Sequence, residues 1–340
     1  MSPIGGPQTR LVPSLRGCPA IVELEVFVTA VEPHVSARTP ETGRARARDV
    51  VAAYVGLMKP RVIELLLLTT VPVMFFAARG VPELWLVVAT VVGGTLSAGS
   101  ASALNCVYDR DIDEQMRRTR RRALPRHIVS PGAATVVGLT LAVVSTLVLW
   151  VFVNPLSAVL ALAANAFYVL VYTMVLKRRT TQNIVWGGLA GCFPALIGWT
   201  AVTNELAWAP VILFLVVFFW TPPHTWALAL RYREDDAKVD VPMLPVVAPA
   251  RSVARQIVVY SYVMVATSLL LWPVAGTGWF YPAAAAVLGA AFLVEAHLML
   301  VRASRSDNLT DVKPMRLFHW SNMYLSLLFV SVALDPLLAF

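Results

Sequence analysis

Nine apolar runs succeed one another along the chain, at about 62–79, 84–104, 131–153, 156–176, 184–203, 208–230, 256–275, 279–301 and 317–339. Each approaches or exceeds the roughly 20 residues with which a helix crosses a bilayer. None alternates with the period of two that a half-buried strand requires, and no short repeat is present. The pattern predicts nine transmembrane helices in one all-α membrane domain, from about residue 50 to residue 340. Asn154-Pro155, the only break between the third and fourth runs, fits a tight turn between antiparallel helices. Pro72, Gly93-Gly94, Gly187-Gly188, Pro194 and Pro222-Pro223 fall inside runs. A membrane helix tolerates them where neighbours satisfy the freed backbone groups.

The polar segments between the runs alternate in character. One set of flanks carries all but four of the 28 Lys and Arg, including seven arginines between Arg110 and Arg126 and the cluster Lys177-Arg178-Arg179. The opposite set holds Arg79 alone, and the other three arginines stand in the far N-terminal segment. The positive-inside rule then predicts a cytoplasmic N-terminus, cytoplasmic basic loops and an external C-terminus. So clean an alternation also supports nine spans, because one missed span would scramble it.

Composition agrees: 58% of residues are hydrophobic and 14% are charged, far more apolar surface than a soluble domain of 340 residues needs. The net charge of +8 reads first as topology, with anionic substrates and lipid headgroups as its natural partners. The arginines are shared among short loops, which argues against nucleic acid. Cys18, Cys106 and Cys192 make no close pair and no metal spacing. Residues 1–49 scatter Pro, Gly, Arg, Ser and Thr among short apolar pieces, and Glu23 and Glu25 interrupt Ile21–Val31, a poor signal-peptide core. They read as a disordered cytoplasmic tail.

Two acidic segments stand on the basic side. In the first, Asn105, Asp109 and Asp113 are spaced by four. On a helix each step turns the chain by about 400°, so the three side chains share roughly 80° of arc and span about 12 Å. One amide and two carboxylates on such a stripe suit Mg²⁺, which takes oxygen ligands and joins one or two carboxylates to a substrate's phosphates. The second segment offers Asp235, Asp236 and Asp240, the last two in an i, i+4 relation. Acidic clusters for metal, arginines for a diphosphate and apolar spans behind them are the parts an allylic diphosphate requires.

Asn105-x-x-x-Asp109-x-x-x-Asp113 followed by Met116-Arg-Arg-Thr-Arg-Arg-Arg resembles the first aspartate-rich motif of the UbiA superfamily of intramembrane prenyltransferases. Supporting stretches are Tyr54-x-x-Leu57-x-Lys-Pro-Arg, Tyr172-Thr173 with Lys177-Arg-Arg-Thr, Gln182-Asn-Ile-Val-Trp-Gly-Gly, Phe219-Trp-Thr-Pro-Pro-His, Pro242-Met-Leu-Pro-Val-Val and Arg316-Leu-Phe-His-Trp-Ser. The match runs in register over about residues 50–335 and is nearest to the branch that farnesylates protohaem IX.

The resemblance implies nine helices around a central cavity in a bacterial plasma membrane. It implies Mg²⁺-dependent transfer of farnesyl from farnesyl diphosphate to a vinyl group of protohaem IX, with water addition to give haem O. A downstream haem A synthase becomes a further partner. It assigns metal and catalysis to Asn105, Asp109, Asp113 and Asp235, and diphosphate contacts to Arg118, Tyr172 and Lys177. Asp236, where an aromatic residue is usual, joins Asp240 and His224 as substrate-binding candidates. Outside the resemblance, Glu64 lies just inside the first span and is either wet or paired with Arg61, and Glu295-Ala-His297 reads as a span nearing its exit. A prenyltransferase for a quinone precursor and a transporter are the rival readings. The stretches outside the aspartate motifs oppose the first, and the clustering of acids at one face opposes the second.

Overall fold

The computed structural model describes residues 47–306 and 308–338. The expected tail over 1–49 lies outside these residues apart from Ala47–Asp49, which open the first helix. Every regular element among the described residues is a helix.

In chain order, α1 (Ala47–Leu57) precedes α2 (Pro60–Ala78), α3 (Leu84–Tyr108) and the short α4 (Arg110–Gln115). Next come α5 (Pro131–Phe152) and α6 (Pro155–Ala166), which continues as a π-helix over Phe167–Leu176. The fifth span joins α7 (Asn183–Gly187), a 3₁₀ stretch Gly188–Cys192 and α8 (Phe193–Thr203). Then follow α9 (Trp208–Arg231), α10 (Arg233–Ala237), α11 (Leu244–Val247), α12 (Ala250–Ala275), α13 (Phe280–Arg305), α14 (Leu309–Val312) and α15 (Pro314–Leu338).

Nine segments among the described residues are long and apolar enough to span a membrane, in register with the nine expected runs. The chain is an integral membrane protein. The bilayer-facing surface is written in the helix period. On α5, Val136, Leu139, Val143, Leu147 and Trp150 recur every three or four residues and are exposed, whereas Ala134, Gly138, Ser145 and Leu149 on the other face are buried. Such a stripe would be a large exposed apolar patch in water and is ordinary against lipid.

Close helix approach uses small residues. A Cβ added to Gly93 on α3 would fall 2.5 Å from Leu149 Cδ2 on α5, so any larger residue would displace that leucine. The Ser145 hydroxyl donates to the Gly93 carbonyl across the same contact at 2.7 Å. The Asn154 turn is fixed twice: Oδ1 accepts from Ser157 N–H at 2.8 Å and caps α6, while Nδ2 donates to the Thr200 carbonyl at 2.7 Å. The largest buried cluster is made by α2 and the spans from α7 onward, with Trp226, Tyr281, Phe292, Tyr324 and Phe329 nearly inaccessible.

One ion network among these helices escapes the sequence reading. Glu295, ten residues before the end of α13, is 3% exposed. It accepts from both terminal nitrogens of Arg302 at 3.0 Å and pairs with Arg316 Nε at 3.0 Å, tying α13 to the start of α15. Glu64 is exposed and makes no ion pair with Arg61 among the described residues.

Candidate active site at the basic end of the bundle

The acidic stripe survives a break in its helix. Asp109 (φ −87°, ψ 6°) closes α3 and opens α4. The amide of Asp109 still donates to the Asn105 carbonyl, and that of Asp113 to the Asp109 carbonyl, each at 2.9 Å. The i, i+4 ladder therefore crosses the junction and keeps the three side chains on one stripe. All three are buried, at 3%, 1% and 2% exposure.

Basic side chains from elsewhere in the chain converge on this stripe. Lys59 takes a left-handed backbone (φ 54°), rare for a residue with a Cβ, at the turn between α1 and Pro60. Its amine donates to Asn105 Oδ1 at 2.8 Å. Asn105 Nδ2 donates to Asp109 Oδ2 at 2.6 Å and to Thr173 Oγ1 at 3.2 Å. Lys177 forms an ion pair with Asp109, and Arg178 Nη2 lies 3.5 Å from its other oxygen. Arg178 also grips Asp111 with two bonds of 2.7 Å and covers the Tyr108 ring at 5.0 Å. That hydrogen-bonded pair holds the Asp111 carboxyl below its ordinary value and pushes the Arg178 guanidinium up. Burial lowers the Lys59 amine, against the pull of nearby acids.

The π-helix explains how Lys177 reaches Asp109. Its bonds run from residue i to i+5, as in Lys177 N–H to the Tyr172 carbonyl at 2.9 Å. The wider turn brings residues four to five apart onto one face, here Tyr168, Tyr172 with Thr173, and Lys177. The Tyr168 and Tyr172 rings pack 5.2 Å apart. A Cβ on Gly187 would fall 2.1 Å from Tyr172 Cδ2, so that glycine keeps the ring in place.

The loop between α4 and α5 joins the two acidic segments. Arg122 Nη1 bonds Asp113 Oδ2 at 2.7 Å, and the backbone N–H of Arg118 donates to Asp235 Oδ2 at 3.3 Å. The Arg118 side chain stacks on Tyr232 at 5.3 Å and lies 3.9 Å from Asp236. Asp235 and Asp236 are buried on α10, and burial raises the Asp236 carboxyl despite Arg118. One loop thus meets both acidic segments, the second across a separation of 117 residues.

Two candidates stand apart from this cluster. Asp240 lies beyond the end of α10, with a left-handed backbone (φ 52°) and an exposed side chain, so the expected i, i+4 relation to Asp236 does not form. The chain turns at 238–240, and a helical register holds only within a helix. His224 lies about 10 Å inside the basic end of α9, seven residues before Arg231. Its ring is stacked between Trp220 at 4.1 Å and Phe318 at 4.5 Å, and Nδ1 meets Ser321 Oγ at 2.8 Å. Lys59, Thr173, Arg122 and Arg178 belong to the cluster and were not singled out from sequence.

Behind the stripe lies an apolar cavity of about 210 Å³. Lys59, Ser102 and Tyr168 stand at its rim; Leu66, Ala98, Ala101, Ala164 and Gly191 wall it; Thr70, Thr90 and Ile197 lie deepest. Through Lys59 the rim is bonded to the stripe itself.

The donor set fits Mg²⁺. Every acidic or amide donor offers oxygen, and Asp109 Oδ1 is buried without a hydrogen bond among the described residues. Among the described residues no three His, Cys, Asp or Glu gather into a closed metal cage. An ion here would share its ligands between one or two carboxylates and a substrate's phosphates, the usual manner for this metal.

The family model described as the UbiA prenyltransferase family matches residues 66–322. A protein named protoheme IX farnesyltransferase from Nocardioides sp. is 79% identical over 296 residues, covering 87% of this chain and 94% of that protein. One of the same name from Cutibacterium acnes is 59% identical over 300 residues, 88% of this chain and 89% of that one. Among solved structures, a digeranylgeranylglyceryl phosphate synthase superposes with a TM-score of 0.69 at 14% identity, covering 85% of this chain and 99% of its own. A UbiA homolog from Archaeoglobus fulgidus bound to GPP and Mg²⁺ superposes with a TM-score of 0.60 at 15% identity, covering 82% and 99%. These two structures share the fold.

Proposed function

The chain belongs to the UbiA prenyltransferase family, and from that premise we propose that its acidic stripe and the cavity beneath it hold farnesyl diphosphate as a magnesium complex. The chain transfers the farnesyl group to a vinyl group of protohaem IX and, with water addition, makes haem O. The observation that carries the proposal is the continuity from stripe to cavity: Lys59 is bonded to Asn105 and also borders the apolar space. An anionic head fits the first and a hydrocarbon tail fits the second.

Asn105, Asp109, Asp113 and Asp235 are the residues that would hold the metal. When bound, Mg²⁺ supplies Lewis-acid stabilisation of the charge that builds on the departing diphosphate. In the free protein the acids and bases neutralise one another: Lys177 and Arg178 on Asp109, Arg122 on Asp113, Arg118 beside Asp236. With the donor bound, the carboxylates would hold the metal, and Lys59, Arg118, Arg122, Lys177 and Arg178 would meet the phosphate oxygens in charge-assisted bonds. Tyr172, held on the π-helix against Tyr168 and Gly187, is the further diphosphate contact that the resemblance implies.

With its charge met from all sides, the diphosphate departs with the C–O bonding pair and leaves an allyl cation in the water-poor mouth of the cavity. The haem vinyl group donates its π electrons to the allylic carbon. Water captures the cation so formed on the substituent and releases a proton, giving a hydroxyethylfarnesyl group. The acids are consumed by charge balance, so no general base is required before that last proton leaves.

The basic end faces the cytoplasm by the positive-inside rule. In this reading residues 1–49 are a cytoplasmic tail preceding a transmembrane domain of residues 50–340, the C-terminus is external, the membrane is a bacterial plasma membrane, and a haem A synthase consumes the product. Membranes containing the chain, supplied with protohaem, farnesyl diphosphate and Mg²⁺, are expected to yield haem heavier by the hydroxyfarnesyl increment in mass spectra. Unmodified haem beside a prenylated quinone precursor would overturn the assignment.

A further inference from the structure

The cavity is deep as well as apolar, and two glycines open it. From Lys59 at the rim to Thr70 at the floor, α2 advances eleven residues, about 16 Å. On α3 the wall descends from Ser102 through Ala101, Ala98 and Gly94 to Thr90. Gly94 and Gly191 both line the space, and a Cβ built on either meets no atom of the described residues within 4 Å. Gly93, Gly138 and Gly187 differ, because a Cβ there strikes a neighbouring side chain at under 3 Å. Those glycines serve packing. Among the described residues, nothing occupies the space that Gly94 and Gly191 leave free.

We infer that Gly94 and Gly191 set the length of isoprenoid chain that the site accepts, with Ile197 as the floor. The inference rests on the cavity being the tail site. Gly94 stands eleven residues from Asn105, about 16 Å along α3 and therefore beside the far part of a tail whose head lies at the stripe. A side chain at Gly94 shortens the space without disturbing the rim. Leucine is also a far better helix former than glycine, so the substitution threatens the fold little. Ile197 is 7% exposed at the deep end, and trimming it lengthens the space.

The test uses the full-length protein in lipid with Mg²⁺ and protohaem, offered geranyl, farnesyl and geranylgeranyl diphosphates both as competing ligands in a binding assay and as donors. The wild-type chain is expected to prefer farnesyl. Gly94→Leu and Gly191→Leu shift the farnesyl-to-geranyl ratio toward geranyl by roughly tenfold or more, the scale of small changes in an apolar pocket. Ile197→Ala shifts preference toward geranylgeranyl, a gain that misfolding cannot mimic. Variants that keep the wild-type ratios, or weaken all three ligands in proportion, would overturn the inference and leave the tail site standing. A wild-type protein that binds none of the three would overturn both.

Discussion

Replacing Lys177 by methionine should destabilise the protein more than replacing its partner Asp109 by asparagine. The reason is what each change leaves behind. Asp109 is 1% exposed and its side chain cannot reach water, whereas the Lys177 side chain is 20% exposed and that of Arg178 31%. Breaking a buried pair typically costs ~3–5 kcal/mol because one charge stays uncompensated. Lys177→Met leaves the Asp109 carboxylate with the Asn105 amide at 2.6 Å and Arg178 at 3.5 Å, which reduces the cost to about 2–3 kcal/mol. Asp109→Asn instead leaves two partly wet cations, one already held by Asp111, and costs about 1 kcal/mol or less. The double variant strands neither charge and recovers most of the lysine penalty. Reversible unfolding in mixed detergent micelles, followed by tryptophan fluorescence, gives all three values. If Asp109→Asn costs as much as Lys177→Met, or the double variant costs their sum, the reasoning from stranded charge is wrong.

The same substitution has a separate effect on turnover. Asp109→Asn and Asp113→Asn are each expected to lower farnesyl transfer by about 10²–10³-fold, the scale of one lost electrostatic contact to a transition state. Insertion stays normal, and activity near the wild-type level in both would remove the stripe from the mechanism. Asp236 gives a pH prediction. Burial raises its folded pKa above the ordinary 3.8, so the folded protein binds more protons than the unfolded one and stability falls as pH climbs from about 3.8 through the folded value. Asp236→Asn removes that fall, and melting curves across pH should show the variant at least as stable as wild type at neutrality. Glu295→Ala leaves Arg302 and Arg316 without their acid, but both are partly wet, so it should cost about 1 kcal/mol in the same unfolding assay, while the KM for farnesyl diphosphate stays unchanged. A changed KM there would tie the Glu295 network to the donor site.

The nine spans were legible because apolar length is a one-dimensional property: a bilayer requires it of each segment separately. The stripe at Asn105, Asp109 and Asp113 was legible by the same local logic, since a helix places residues four apart on one face. The wall of the cavity repeats that spacing at Thr90, Gly94, Ala98 and Ala101, so the groove below the stripe was open to the same reading. Lys59 stands within the Tyr54-x-x-Leu57-x-Lys-Pro-Arg stretch, yet its role depends on a left-handed turn before Pro60 that no periodicity reports. Lys177 meets Asp109 only because the π-helix widens the turns beneath it, and Arg118 meets Asp235 only because a loop folds across the bundle. The Glu295 ion network is not legible in the sequence because its partners lie on a later turn and on another helix. Asp240 failed in the opposite sense: its spacing was right for a helix that ends at Ala237.

The central claim is that the stripe binds the diphosphate through magnesium. Titration of a non-ionisable farnesyl thiolodiphosphate into the purified protein, with and without Mg²⁺, measures it directly. The wild-type protein is predicted to bind only when Mg²⁺ is present, and the Asp109→Asn/Asp113→Asn double variant to lose that Mg²⁺-dependent binding while remaining folded. Equal binding without the metal, or undiminished Mg²⁺-dependent binding by the double variant, would contradict the account.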